Sequence, residues 1–265
     1  MIIDAFLFFN EFDLLELRLE EMGPFVDYFL VQESSYTFTG ETKPLYLREE
    51  LSKPNTRFEK WMDKIRLTPA YERVPLSDPW REEAFQRNLL LEPVNELIAN
   101  STDDNVFVIV SDVDEIIRRD ILKSLPFLVD AGTKYCVLDT HYYGVNMRSG
   151  INDWPAPFVY NGKISKPSAS YDDVRRARFS GPFITNAGWH YSYVMSASKI
   201  VDKIKAFSHT EYQTDYFMDE ERIEKLSSTG EDIFDRGVKY SKIEIDKAFP
   251  VVIQEDPEKW GALFR

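Results

Sequence analysis

The hydrophobic positions near the amino terminus predict a strand, a helix and a second strand. Residues 2–9 and 27–32 are short apolar runs of strand length. Between them, the leucines of residues 13–22 suit a helix, which Gly23 and Pro24 end. A strand–helix–strand unit of about thirty residues is the element from which parallel sheets are wound. The opening of the chain therefore predicts an α/β fold.

The rest of the chain continues this alternation of strands and helices. A third strand is predicted at residues 65–67, and a long helix starts with Asp78 as its N-cap, with a break expected at Pro93. Residues 152–182 show no clear periodicity, and we interpret them as an excursion that contacts substrate. The other predicted elements are helices at 120–129, 198–207 and 219–226 and strands at 135–147, 183–195 and 243–245.

A fully apolar strand at residues 106–110 leads into Asp112, Asp114 and Glu115. Its β-branched and aromatic side chains are typical of a parallel strand that is covered on both faces. Ligands of open α/β sheets bind beyond the carboxyl ends of such strands. In extended backbone Asp112 and Asp114 face the same side, at a spacing that suits a shared divalent cation. The alternative is a capped turn, in which Asp and Ser are common.

The charge balance narrows the range of partners. With 32 basic and 45 acidic residues, the chain carries a formal net charge of -13, which argues against a nucleic-acid or anionic-membrane partner. A phosphate-bearing ligand would need a local cation, either a bound metal or a few placed Arg and Lys side chains. The lone cysteine, Cys136, excludes an intrachain disulfide and lies in an apolar run.

The chain has the size and composition of one large α/β domain. Its 265 residues include 43% hydrophobic and 14% aromatic residues, which are globular values. The amino terminus lacks the basic start of a signal peptide, and no run approaches the roughly 20 apolar residues that span a bilayer. We therefore expect a soluble, cytoplasmic protein without a membrane span.

Two classes of enzyme place an Asp-x-Asp motif at the end of a buried strand. In glycosyltransferases that use nucleotide sugars, the pair holds a divalent cation on the diphosphate. In haloacid-dehalogenase-like phosphatases the first Asp, here Asp112, is the nucleophile. However, Ile116 stands where Thr or Val is usual, and the motif comes late in the chain rather than on the first strand. These differences favour the transferase, and a non-catalytic module that binds nucleotide sugars or glycans is the third alternative.

Six short blocks together resemble glycosyltransferase family 17, the β-1,4-mannosyl-glycoprotein β-1,4-N-acetylglucosaminyltransferase group. Each block alone is weakly specific, but they keep their order over most of the chain. The blocks are DAFLFFNE at 4–11, DLLE at 13–16, ES at 33–34, TFTG at 37–40, DVDEI at 112–116 and GWH at 188–190.

The resemblance implies a GT-A-like (Rossmann-like) single domain with a mostly parallel central sheet flanked by helices. Residues 1–115 would form the nucleotide-sugar-binding half, and residues 116–265 the acceptor-binding and catalytic half. The implied reaction moves GlcNAc from UDP-GlcNAc to a hydroxyl of a glycan acceptor, with inversion at the anomeric carbon. A divalent cation, Mn²⁺ or Mg²⁺, would assist, and the oligomeric state is left open.

The resemblance also suggests how the metal is held. Asp114 would bind the cation, and Asp112 would assist through the metal or the ribose. His190 would complete the metal shell or bind the diphosphate, since imidazole is a common metal ligand, and His209 is the alternative for this role.

Inversion in one displacement needs a general base on the acceptor hydroxyl. The strand-end carboxylates cannot supply it while they hold the metal, so we expect the base farther along the chain. Glu211 is the best placed acid there, and Asp215 and Asp232 are the alternatives.

The donor nucleotide is expected beyond the first two strands, where base and ribose sit in a doubly wound sheet. Asn10 is expected to read the base edge and Glu33 to accept a hydrogen bond from a ribose hydroxyl. Trp154 and Trp189 are candidates for stacking on a sugar. The full set of predicted donor-binding residues is Phe9, Asn10, Glu11, Glu33, Arg87, Asn88 and Asp112.

Overall fold

Ten strands form one mixed sheet in the computed structural model, which describes residues 1–70 and 74–265. The strands are β1 Ile2–Leu7, β2 Tyr28–Gln32, β3 Ile65–Leu67, β4 Phe107–Asp112, β5 Glu115–Ile117, β6 Thr133–Tyr142, β7 Met147–Trp154, β8 Phe158–Asn161, β9 Phe183–Ser192 and β10 Tyr240–Lys242. Strands β3, β2, β1 and β4 lie side by side in that order and are parallel, β8 joins β4 antiparallel, and β6 and β9 form a further parallel pair. The predicted α/β class with mostly parallel central strands is therefore confirmed.

Helices pack on both faces of the central strands. Phe107 and Ile109 belong to a core cluster with the leucines of α1, whereas Val108 and Val110 belong to a second cluster with α4. Alternate residues of β4 are buried on opposite faces of the sheet, which explains why its run of apolar residues is continuous. The helices are α1 Phe12–Met22, α2 Tyr46–Leu51, α3 Pro79–Asn88, α4 Leu91–Asn100, α5 Arg119–Leu128, α6 Tyr171–Arg176, α7 Ala197–Ala206, α8 Glu220–Thr229 and α9 Val251–Glu255, with 3-10 helices at Glu59–Trp61, Thr210–Tyr212 and Gly261–Leu263. None of the described helices is long and apolar enough to cross a bilayer.

The long helix predicted from Asp78 is divided into α3 and α4. The Asp78 carboxylate accepts a hydrogen bond from the backbone N–H of Trp80 at 3.0 Å, as expected of an N-cap. Helix α3 ends at Asn88 and α4 begins at Leu91, so the break precedes Pro93. Pro93 lies in the first turn of α4, where its missing N–H interrupts no helical hydrogen bond.

Two expectations for the second half of the chain are wrong. Residues 158–161, within the segment interpreted as an excursion, form β8 between β4 and β6 in the middle of the sheet. This buried run is too short to show a periodicity of its own. The edge strand expected at residues 243–245 is instead Tyr240–Lys242, and Ile243 packs against the core while Ile245 is exposed.

Arg18 of α1 is completely buried beneath the carboxyl end of β4. Its Nε and Nη2 atoms donate to the two carboxylate oxygens of Asp4 on β1, at 2.7 and 2.5 Å. Nη2 also donates to the hydroxyl of Ser111 at 2.6 Å. Nη1 donates to the backbone carbonyls of Asp112 and Glu115 at 2.9 and 2.7 Å. One side chain therefore fixes the backbone of the turn that carries the acidic cluster.

Gly188 allows β9 to approach β5 closely. A Cβ atom at this position would lie 1.9 Å from the backbone carbonyl oxygen of Ile116. In this antiparallel pair, Glu115 lies opposite His190. The glycine is thus needed for the strand pairing that places His190 beside the acidic turn.

We expect Arg18→Met to lower the free energy of unfolding by about 3–5 kcal/mol, because Asp4 would remain buried without its counter-charge. Urea unfolding followed by circular dichroism measures the change. Arg57→Met is the control, since Arg57 pairs with Asp13 and Glu16 at the surface and its loss should cost at most about 1 kcal/mol. Equal losses in the two variants would contradict the special role of Arg18.

Gly188→Ala should lower the free energy of unfolding by about 1–3 kcal/mol, because the added methyl group forces β9 away from β5. Gly150→Ala on β7 is the matched control, since a Cβ there would meet no atom within 4 Å. Thermal melts of both variants measure the difference. A Gly188→Ala protein as stable as the Gly150→Ala protein would show that the close approach is unimportant.

Candidate active site

A cavity of about 860 Å³ lies beyond the carboxyl ends of β1 and β4. The acidic turn after β4 forms part of its wall, and α3, α6, α7 and β9 supply other parts. The charged and imidazole side chains on this wall are Glu11, Lys43, Glu83, Arg87, Asp112, Asp114, Asp172, Arg175, Arg176, Arg178, His190, Lys203, His209 and Arg236.

Asp112 binds two arginines with its two carboxylate oxygens. Oδ1 accepts from Nη1 of Arg87 at 2.6 Å, and Oδ2 accepts from Nη2 of Arg175 at 2.5 Å. Burial alone would raise the pKa of Asp112, but Arg175 and Arg87 hold it well below its usual range. The carboxylate is therefore ionised at neutral pH, and both of its oxygens already have a cationic partner. This arrangement does not suit direct coordination of a metal by Asp112.

Glu115 is completely buried and fixes Arg175 in place. Its carboxylate accepts from Nη1 and Nη2 of Arg175 at 3.0 and 2.8 Å. It also accepts from the backbone N–H of Asp112 at 2.7 Å and from the indole N–H of Trp154. The third carboxylate of the acidic cluster thus positions an arginine of the cavity wall.

Lys203 of α7 joins Asp114 to Glu11. Its ammonium group lies 3.1 Å from Oδ2 of Asp114 and 3.0 Å from Oε1 of Glu11. Burial alone would lower the pKa of Lys203, but the two carboxylates raise it well above its ordinary value. For Glu11 burial would raise the pKa, and Lys203 lowers it. Lys203 and Glu11 therefore stay charged together at neutral pH.

His190 stands beside Asp114, as the β5–β9 pairing requires. Its Nε2 atom lies 3.9 Å from Oδ1 of Asp114, and its buried Nδ1 atom has no hydrogen-bond partner among the described residues. Burial lowers the pKa of His190, which keeps the imidazole in the neutral form that binds metals. Asp114 and His190 thus have the chemistry to supply two ligands to a divalent cation. Among the side chains that the structure describes, no group of three or more His, Cys, Asp or Glu could hold a metal by itself.

The predicted donor-binding residues do not all reach the cavity. Asn10 lines a separate cavity of about 290 Å³. The carboxylate of Glu33 accepts from two backbone N–H groups at the start of α2, at 2.7 and 3.1 Å, and so caps that helix. Oδ1 of Asn88 accepts from the backbone N–H of Asp172 at 3.2 Å. The predicted donor-binding residues on the wall of the large cavity are Phe9, Glu11, Arg87 and Asp112.

The three candidate bases lie in different surroundings. Glu211 is on the 3-10 helix Thr210–Tyr212 with 58% of its side chain exposed, and its Oε1 atom lies 2.7 Å from Nδ1 of His209. Asp215 is exposed. Asp232 is buried and forms an ion pair with Arg236 at 2.7 Å. Among the described residues, the structure brings His209 rather than any of these acids to the wall of the cavity.

The two predicted stacking tryptophans have other contacts. Trp189 is 2% exposed and donates its indole N–H to the carbonyl of Ala248, which makes it a core residue. The Trp154 ring stacks on His190 with centroids 4.7 Å apart, and the guanidinium of Arg178 lies 5.7 Å from its centroid. Trp80 and Phe179, which are 40% and 70% exposed, are two further aromatic side chains on the cavity wall.

Sequence reasoning missed three side chains that organise the site, namely Glu83, Arg175 and Lys203. The run of arginines at 175, 176 and 178 is a usable signal in an acidic chain, because such a cluster needs anionic partners. Lys203 gave no signal, since a lysine on an amphipathic helix is ordinarily solvated. Glu83 is equally inconspicuous on the predicted helix.

Comparison with known proteins relates the chain to one family. The sequence profile described as Glycosyltransferase family 17 matches residues 1–247. Beta-1,4-mannosyl-glycoprotein 4-beta-N-acetylglucosaminyltransferases of Rattus norvegicus and Homo sapiens are each 37% identical over 122 residues, which is 45% of this chain but only 22% of either relative. Among solved structures, HddC from Yersinia pseudotuberculosis aligns with 12% identity and a TM-score of 0.38, over 71% of this chain and 90% of HddC. All six blocks that suggested the family lie within the matched range, and the chain belongs to glycosyltransferase family 17.

Proposed function

We propose that the protein is an inverting glycosyltransferase that moves GlcNAc from UDP-GlcNAc to a hydroxyl of a mannose-containing glycan. The observation that carries this proposal is the cavity wall, where the acidic turn and several fixed arginine and lysine side chains face one space. The activity named for the relatives supports the donor and acceptor classes.

Arg175 and Lys203 are the side chains we assign to the donor diphosphate. Arg175 is held by Asp112 and Glu115, so its guanidinium is in place before a ligand binds. Lys203 is held in the same way between two carboxylates. Fixed cations at the point where negative charge develops stabilise the transition state without reorganisation. They also offset the net charge of -13 that would otherwise repel a diphosphate.

A divalent cation, Mn²⁺ or Mg²⁺, would be held by Asp114 and His190. When bound, it would stabilise the negative charge of the departing diphosphate. In this proposal Asp112 is not a metal ligand but keeps Arg87 and Arg175 in position.

The contacts of Asp112 also favour transfer over the phosphatase alternative. A nucleophilic aspartate needs a carboxylate oxygen that is open to the phosphorus atom. Both oxygens of Asp112 accept hydrogen bonds from arginine. The family match supports the same choice.

A thermal-shift panel of nucleotide sugars tests the donor. We expect UDP-GlcNAc with Mn²⁺ to raise Tm more than GDP-mannose with Mn²⁺, because the ligand that binds the native protein more tightly stabilises it more. A ligand at 100 times its Kd raises the free energy of unfolding by about 2.7 kcal/mol. The absence of a shift with every UDP-sugar would contradict the donor assignment. A shift without sugar transfer or donor hydrolysis would indicate a non-catalytic binding module.

Asp114→Asn should lower the rate of transfer about 100-fold or more, because the site loses charge where the leaving group must be stabilised. Initial rates with UDP-GlcNAc and a mannosyl glycopeptide measure the effect. Unfolding should stay cooperative, since Lys203 keeps its contact with Glu11. Asp120→Asn, which changes an exposed carboxylate at the start of α5, is the control. Full activity of the Asp114→Asn protein would refute the assigned role.

A further inference from the structure

His209 and Glu211 form an imidazole–carboxylate pair at the cavity. The Nδ1 atom of His209 lies 2.7 Å from Oε1 of Glu211. His209 lines the cavity, whereas Glu211 is not on the cavity wall and has 58% of its side chain exposed. A carboxylate on Nδ1 holds the imidazole in the tautomer whose lone pair is on Nε2.

We propose that His209 is the general base that accepts the proton of the acceptor hydroxyl, and that Glu211 is the residue that positions it. This inference rests on the proposed transferase function. It replaces the expectation that Glu211 itself is the base, because the imidazole of His209 lines the cavity and the carboxylate of Glu211 does not.

The imidazole ring is held by aromatic neighbours. Its centroid lies 4.5 Å from that of Trp80 on α3, in an edge-to-face arrangement, and 5.4 Å from that of Phe207. Tyr212 packs at 5.8 Å. A ring confined in this way, with one nitrogen bound to Glu211, presents its other nitrogen in a limited range of directions. Such restraint is what a base needs to meet one hydroxyl of a bound acceptor.

A chain of hydrogen bonds connects this base to the acidic turn. The hydroxyl of Ser208, next to His209, donates to Oε2 of Glu83 at 2.6 Å. Oε1 of Glu83 accepts from Arg87 at 2.7 Å, and Arg87 binds Asp112 at 2.6 Å. The base and the diphosphate-binding side chains are therefore fixed relative to one another on the same cavity wall.

The charged groups around His209 suit its role as the base and the role of Glu211 as the positioning residue. The titratable groups placed against it are Glu211 and Tyr212 on its own segment and, through Ser208, Glu83 of α3. The hydrogen bond with His209 lowers the pKa of Glu211. A carboxylate with a lowered pKa is a weaker base, but it remains charged and stabilises an imidazolium beside it.

In the proposed step one sugar is transferred and one proton is accepted by His209. As the acceptor oxygen bonds to the anomeric carbon, its proton passes to Nε2 of His209. The bond between the anomeric carbon and the diphosphate oxygen breaks, and its electron pair leaves with UDP. The imidazolium then releases the proton to solvent, since 45% of the His209 side chain is exposed.

Steady-state kinetics with UDP-GlcNAc and a mannosyl glycopeptide test the base directly. His209→Gln should lower kcat about 100-fold or more, because a general base contributes that much, while the Kd for UDP measured by calorimetry changes less than about twofold. Asp202→Asn, which alters an exposed carboxylate of α7, should keep the wild-type kcat. Wild-type kcat in the His209→Gln protein would overturn the proposal, and so would an equal loss in the Asp202→Asn protein.

The pH profile of Glu211→Gln separates positioning from a merely structural role. The base must be neutral, so kcat/KM of the wild-type enzyme should rise with pH as the imidazolium loses its proton. Without the Glu211 carboxylate the imidazolium is less stable, so this rise should move to lower pH while kcat falls. Glu211→Asp should recover most of the rate. An acidic limb that does not move in Glu211→Gln would overturn the assigned role of Glu211.

Measurements on the wild-type protein distinguish a failure of the transferase function from a failure of the assignment of His209 as the base. A wild-type protein that binds UDP but transfers no sugar would overturn the transferase function and the base together. Transfer by the wild-type protein, combined with equal transfer by His209→Gln, would overturn the base alone.

Discussion

The buried guanidinium of Arg18 is the interaction on which the geometry of the site depends. It joins α1, β1 and the backbone of the turn after β4, and its third turn contact is with the carbonyl of Val113 at 3.3 Å. A buried ion pair is weak evidence for stability, because desolvation offsets most of the attraction. Arg18 instead fixes the geometry of the turn, since the backbone carbonyls of this tight buried turn would otherwise lack hydrogen-bond partners. The direction in which Asp112, Asp114 and Glu115 project follows from this one contact set.

The carboxylates of the site act mainly as holders of cations. Asp112 and Glu115 share Arg175, and Asp114 and Glu11 share Lys203. An acidic protein can in this way hold positive side chains at fixed positions facing an anionic ligand, where they do not move away to pair with other carboxylates on its surface. The fixed arrangement is a preorganised electrostatic environment of the kind that favours charge development during catalysis.

The sequence located the site more reliably than it assigned the side chains. The apolar run of β4 and the strand–helix–strand opening are local patterns, so the cavity beyond β4 could be predicted. Arg175 could not, because it lies 63 residues from Asp112 and on a short helix within an aperiodic segment. Glu33 was placed correctly after β2, but nothing local shows that the start of α2 would take its carboxylate. For His209 and Glu211, two residues apart, only the three-dimensional structure shows which one reaches the cavity.

The parallel pairing of β1 with β4 has a consequence for how the protein acquires its site. Ile2 lies opposite Phe107, so the two central strands meet only after a long loop of chain has closed. The wall of the cavity then draws on residues from Leu7 to Tyr240. Folding that depends on contacts between residues so distant in sequence is slow, and the complete cavity wall forms only when those contacts are made. Ligand affinity in this protein is therefore a property of the completed sheet, and any ligand in the cavity restrains the whole chain against unfolding.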